Sequence, residues 1–150
     1  MKEKILSIAP EATIEEKNGQ LSVTVPKASF HDLALRLRHD PDMSFDFLVC
    51  MTGMDWGETL GVMYHLRSTR LGHDIALRTE TDNREMPELS SVSDIWATAN
   101  LNEREVFDFF GIRFINHPDM RRLFLRNDWV GYPFRKDYNP DDTINPVRLD

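Results

Sequence analysis

Acid–base chemistry in this chain would fall to His117, with Asp119 or Asp137 as the carboxylate that orients the ring or takes its proton. Phosphate chemistry would fall to Arg121, Arg122, Arg126, Arg135 and Lys136, and the interleaved Trp129, Tyr132 and Phe134 offer faces on which bases could stack. Nothing beyond residue type supports either reading. No glycine-rich phosphate loop, nucleophile elbow or closely spaced His and carboxylate set is present. His31, His39, His65 and His73 fall on or beside regular elements and read as structural or surface groups. The net charge of −7, the pI near 5.2 and the acids Asp119, Asp128, Asp137, Asp141 and Asp142 among the same cations argue against nucleic acid. Cys50 is the single cysteine, which rules out an internal disulfide, a cysteine-ligated iron–sulfur cluster and a four-cysteine zinc site built from this chain alone. Flanked by Leu48, Val49 and Met51, it reads as a small buried hydrophobe.

The charge is unevenly placed. Residues 1–100 carry ten Lys/Arg against sixteen Asp/Glu, a balance of −6, whereas 113–136 carries six basic residues against two acidic ones, a balance of +4. A basic tail on an acidic body favours an anionic or acidic partner surface. In the preceding segment Glu103 falls in line with Val106 and Phe110 at helical spacing, so its carboxylate lies on or beside an apolar face. There it is either buried with hydrogen-bonding partners or a solvated acid in the first turn, favoured by the helix dipole; spacing leaves both open. Arg104 and Asp108, four apart, can pair along the same helix.

The elements that must position these groups follow from periodicity. Residues 12–16 and 21–25 alternate as strands around Asn18-Gly19, a dipeptide suited to the positive φ of a tight hairpin, and Pro26 ends the second strand. Phe30, Leu33, Ala34 and Leu37 recur at helical spacing, which predicts a helix over 30–39 with Ser29 as N-cap and Asp40-Pro41 as its stop. Strands are predicted over 45–52, 59–68 and 73–81. Their short glycine-containing connections make them antiparallel neighbours, with Val62, Tyr64 and Leu66 on the packed face and Met63, His65 and Arg67 on the wetter one. Helical spacing returns at Val92, Ile95, Trp96 and Ala99. A short helix over 103–110 then opens on an Asn102/Glu105 capping box and closes at Gly111.

Past Gly111 the periodicity stops. His117-Pro118, Tyr132-Pro133, Asn139-Pro140 and Asn145-Pro146 interrupt regular structure, yet Phe114, Leu123, Phe124, Trp129, Phe134 and Tyr138 are too apolar for a solvated linker. They must pack on the domain or on another protein. The expected organisation is an α+β core domain over 1–111, with a mainly antiparallel sheet packed on helices, and an extended irregular C-terminal arm over 112–150 packing on the core and on a partner. At 150 residues one core is expected. No apolar run approaches the length of a membrane span, and the amino terminus does not read as a secretory signal, so a water-soluble chain in a cytosolic setting is expected.

The order Glu103-Arg104-Glu105-Val106-Phe107-Asp108-Phe109-Phe110-Gly111-Ile112, then Phe114, His117-Pro118-Asp119, Arg121-Arg122, Asp128-Trp129, Gly131-Tyr132-Pro133 and Arg135-Lys136-Asp137-Tyr138 resembles the signature of the 30-kDa subunit family of respiratory complex I, the C subunit of bacterial NADH-quinone oxidoreductase. Weaker resemblance runs back through Ser91-Val92, Ile95-Trp96, Tyr64-His65-Leu66 and Asp55. Departures are Phe109-Phe110 for an aliphatic–Phe pair, Tyr132 for a histidine, Phe134 for a leucine and Asn116 for a glycine.

The resemblance implies a non-catalytic assembly subunit of the peripheral arm of a proton-translocating NADH-quinone oxidoreductase, on the cytoplasmic side of the membrane and tied to it only through the complex. It implies no cofactor in this chain, with FMN, iron–sulfur clusters and quinone held by other subunits. The implied partners are the 49-kDa (D) subunit and neighbouring iron–sulfur subunits. The residues expected at the partner interface are Glu103, Arg104, Glu105, His117, Arg121, Arg122, Phe124, Trp129, Phe134, Arg135, Lys136, Asp137 and Tyr138. The alternative is the equivalent subunit of an energy-converting hydrogenase or of a related dehydrogenase complex with another electron donor.

Overall fold

Asn18 and Gly19 take φ of 52° and 77°, and this left-handed pair folds β1 (Thr13–Lys17) back on β2 (Gln20–Thr24) with Lys17 opposite Gln20. The computed structural model describes residues 1–142; Asn145-Pro146 and the end of the expected arm lie outside the described residues. A short helix, α1 (Lys2–Ile8), precedes the hairpin, and α2 (Lys27–His39) follows it. The packed face of α2 is set by spacing: it buries Phe30, Leu33, Ala34 and Leu37. Its N-cap is Pro26, with no side-chain cap bond, so Ser29 lies inside the helix and not at its start.

The predicted meander is present as β3 (Phe47–Asp55), β4 (Leu60–Arg67) and β5 (Asp74–Thr81), each antiparallel to the next. Together with the hairpin it forms one five-stranded sheet in the order β1-β2-β5-β4-β3. The β2–β5 pair is parallel, Val23 opposite Leu77, because α2 and the β3–β4 hairpin form the crossover between them. Three of the four strand pairs are antiparallel, so the architecture is α+β with a mixed, mainly antiparallel sheet. Val62, Tyr64, Leu66, Ile75 and Leu77 are fully buried on the inner face, where the Tyr64 ring lies 4.8 Å from Phe30 of α2.

Two local readings change. Cys50 is exposed, because the register shifts between Leu48 and Cys50, and such a bulge turns Val49 and Cys50 outward in succession. The segment from Val92 to Thr98 forms turns, not a helix; Trp96 is buried there and its indole N–H donates to the Phe45 carbonyl at 3.0 Å. The helix α3 (Ala99–Phe110) starts earlier than the capping-box reading placed it. Asn102 therefore sits within α3 and donates to the Thr98 carbonyl. Gly111 closes α3 at φ 73°, as expected of a left-handed C-cap.

After Gly111 the chain forms β7 (Arg113–Ile115), which pairs in parallel with β6 (Glu88–Ser90) as a small second sheet. Ile112 and Phe114 are buried in the main core, so the first residues beyond 111 are structurally part of it. Asn116 turns the chain at φ 68°, which Asn tolerates well, and the irregular arm begins there. It runs to a single 3-10 turn at Pro140–Asp142.

Candidate partner-docking site

The arm is tied to the core by buried carboxylates that meet backbone N–H groups. Asp108 of α3 is fully buried; one oxygen accepts the N–H groups of Leu123, Phe124 and Leu125 at 3.2, 2.7 and 2.9 Å, and the other accepts Arg122 at 3.0 Å. Arg122 also donates to the carbonyls of Asp108, Trp129 and Gly131. Burial pushes the Asp108 carboxyl up, but the N–H groups of Leu125 and Phe124, with Arg122 and Leu123, together hold it below its ordinary value. One turn earlier, Arg104 donates to the carbonyls of Arg121 and Arg122 at 3.2 and 3.1 Å. Arg104 and Asp108 thus do not close the local pair their spacing allows; each reaches instead to the same stretch of the arm.

A second anchor lies at the end of β3. Asp55 accepts both guanidinium nitrogens of Arg84, at 2.8 and 3.0 Å, and the backbone N–H groups of Gly57 and Lys136 at 2.8 and 2.9 Å. Arg84 bridges on to Asp137 at 3.0 Å. The Arg84 guanidinium holds the Asp55 carboxyl well below the usual carboxylate range. Arg135 donates to the carbonyls of Phe110 and Arg84, and its guanidinium lies 4.8 Å above the Tyr132 ring.

Glu103 resolves in favour of burial. Its carboxylate is fully buried and accepts the Ser91 hydroxyl at 2.6 Å and the Val92 N–H at 2.7 Å, stitching α3 to the turns after β6. Burial raises its pKa from 4.5 to about 7, against the lowering pull of those two bonds. His117 lies 3.9 Å away, with Nδ1 accepting the Asp119 N–H and Nε2 facing the Asn100 carbonyl at 2.9 Å. Both ring nitrogens thus face backbone partners that hold the ring in place.

The residues expected at an interface therefore divide. Glu103, Arg104, Arg122, Arg135 and the ring of His117 make hydrogen bonds inside the chain. Arg121 pairs with Asp119, and Asp137 with Arg84. Trp129 and Tyr138 are half-buried; Glu105, Phe124, Phe134 and the side chain of Lys136 are exposed. The arm anchors that sequence reasoning missed are Asp55, Arg84 and Asp108. The signal available for Asp108 was its place between Phe107 and Phe109 in an aromatic run, with Arg121, Arg122 and Arg126 downstream.

Among the described residues no cluster of His, Cys, Asp or Glu has the form of a metal site, and no helix is long and apolar enough to cross a membrane. The surface that the anchors present is aromatic: Phe109, Phe124 and Phe134 stack at the junction of α3 and the arm. Such an arrangement is suited to protein contact.

The chain is 58% identical over 128 residues to the fused C/D subunit of NADH-quinone oxidoreductase from Phocaeicola vulgatus, covering 85% of this chain and 24% of that protein. The chain thus spans about a quarter of the length of that relative. It is 38% identical over 121 residues to the C subunit of NADH-quinone oxidoreductase from Chlorobium phaeobacteroides, covering 79% of this chain and 72% of that one. A chain in the structure of the membrane-bound sulfane sulfur reductase, an archaeal respiratory membrane complex, superposes with a TM-score of 0.77 at 26% identity, covering 93% of this chain and 84% of that chain. Residues 23–143 match the family described as respiratory-chain NADH dehydrogenase, 30 Kd subunit, and the chain belongs to that family.

Proposed function

We propose that this chain is a non-catalytic assembly subunit of a proton-translocating NADH-quinone oxidoreductase, and that it docks the 49-kDa (D) subunit through the face formed by α3, the edge of β3 and the anchored arm. The observation that carries this reading is the joint C/D name of a relative 58% identical to the chain. Joining two subunits in one polypeptide holds them at high effective concentration, which suits partners that remain in contact. The internal anchoring of the arm supports it too, since a preorganised surface avoids an ordering cost on association.

The chain holds no redox centre in this reading: its one cysteine cannot ligate a cluster, and FMN, iron–sulfur clusters and quinone belong to other subunits. It sits on the cytoplasmic side of the membrane and reaches the membrane through the complex. Co-expression with the D subunit from the same source tests the proposal. The two should elute together in size-exclusion chromatography, and separate elution at micromolar concentration would count decisively against it.

A second reading is favoured by the structural likeness to the archaeal respiratory complex: the same scaffold role in a complex with another electron donor. Purifying the intact assembly through a tag on this chain and assaying it with NADH separates the two. NADH oxidation supports the first, and its absence in an assembly that still reduces quinone or another acceptor supports the second.

A further inference from the structure

The stack at the junction of α3 and the arm leaves its outer rings open to solvent. Phe109 lies 4.3 Å from Phe134 and 5.9 Å from Phe124, with the planes inclined by only 12° and 15°. Phe134 and Phe124 are 58% and 65% exposed. Neither ring hangs on a loose loop: the Phe124 N–H is held by Asp108 and the Phe134 N–H by the Phe109 carbonyl. Large exposed apolar groups on a fixed backbone mark a contact site.

Beside Phe134 a cleft of about 210 Å³ opens between β3, α3 and the arm, lined by Met51, Gly53, Glu105, Val106, Phe110 and Phe134 among others. Gly53 shapes its floor. A Cβ at that position would stand 2.5 Å from the Phe110 ring, so the ring rests on bare backbone. The lining carries one charge, Glu105, which is exposed and joins no ion pair among the described residues. Arg104, next to it in the chain, does not serve it, because its guanidinium is held on backbone carbonyls of the arm. A partner that covered the cleft would strip water from Glu105, and a carboxylate desolvated without a cation costs several kcal/mol. An occupant that brings both an apolar group and a positive charge therefore fits the cleft best.

We propose that the cleft receives one apolar side chain, of leucine to phenylalanine size, from the partner subunit, and that a lysine or arginine beside it on the partner pairs with Glu105. The inference rests on the docking of the D subunit proposed above and adds to it the place and the chemistry of the contact. A matched charge at the rim of an apolar pocket sets register and rejects wrong partners, while the inserted side chain supplies most of the affinity.

The test uses the full chain co-expressed with the D subunit. Glu105→Lys reverses the charge, Phe134→Ala removes the exposed aromatic wall of the cleft, and Glu11→Lys, exposed just before the strand at the opposite edge of the sheet, is the control. Glu105→Lys and Phe134→Ala should each weaken association at least tenfold, about 1.4 kcal/mol, with thermal midpoints unchanged; the control should bind as wild type. Should a substitution lower the midpoint, Glu105→Gln or Phe134→Gln takes its place. Undiminished binding by both variants overturns the cleft while leaving D docking intact, and a wild-type chain that never binds D overturns both. Weakening by Phe134→Ala alone removes the charge assignment, and by Glu105→Lys alone the inserted side chain. Concentration-dependent dimerisation of the wild type, abolished by the same substitutions, would identify a second copy as the occupant and overturn the proposal.

Discussion

Asp108 and Glu103 sit five residues apart on one helix, and both are fully buried, yet their surroundings drive them in opposite directions. Asp108 meets three N–H groups and a guanidinium, so removing it leaves all four without their acceptor. Asp108→Ala is expected to destabilise the chain by about 3 kcal/mol or more, measured by urea unfolding. Glu103 has hydrogen bonds but no close cationic partner that offsets its burial, and its pKa rises from 4.5 to about 7. Between those values the folded state binds more protons than the unfolded one, so stability falls as pH rises through the window and levels off above about 7. The depressed carboxyls of Asp55 and Asp108 act with the opposite sign: their contribution is present above the ordinary carboxylate range and is lost as pH falls below it. Unfolding midpoints from pH 2 to 8 should therefore pass through a maximum near the ordinary carboxylate range. Glu103→Gln should flatten the limb on the alkaline side; an unchanged limb would mean that Glu103 does not titrate there.

Among the elements, α3 governs the course of the arm, because its C-cap decides where the arm departs. Gly111 takes φ 73°, and a Cβ there would lie 2.5 Å from the Tyr132 ring and 2.7 Å from Arg135. Both the backbone conformation and the close approach require glycine. Gly111→Ala is expected to cost about 2 kcal/mol of stability, read as a lowered thermal midpoint. Arg135 lies against that same turn and links it to Arg84. Arg135→Ala should lower the midpoint as well, whereas Lys136→Ala should leave it nearly unchanged, since Lys136 contributes its backbone N–H to Asp55 and points its side chain to solvent.

For the molecule as a whole, the arm is a strap closed at two points, by Asp108 near its start and by Asp55 and Arg84 near its end. The stretch leading into and between them carries Arg121, Arg122 and Arg126, three potential trypsin sites. In the isolated chain these sites should be cut no faster than those in the sheet. In Asp108→Ala they should become the first sites cleaved. Rapid cleavage of the wild type at these positions would show that the strap closes only on a partner.

The meander, the Asn-Gly hairpin, the packed faces of α2 and β4, and the left-handed end of α3 were legible in the amino-acid order, because each rests on residues within a few positions of one another. The order of residues from Glu103 to Tyr138 also placed the chain in its family. Other features waited on distant parts of the chain coming together. The parallel β2–β5 pair and the three-residue β6–β7 pair join strands far apart in sequence, and no local pattern announces them. The aromatics of the arm announced that it packs, but not where its cations point. Arg122 and Arg135 have carbonyls and carboxylates within reach only once the arm lies across α3. Glu103 shows the same limit: helical spacing set its face, and the turns after β6 decided whether that face met water or the Ser91 hydroxyl.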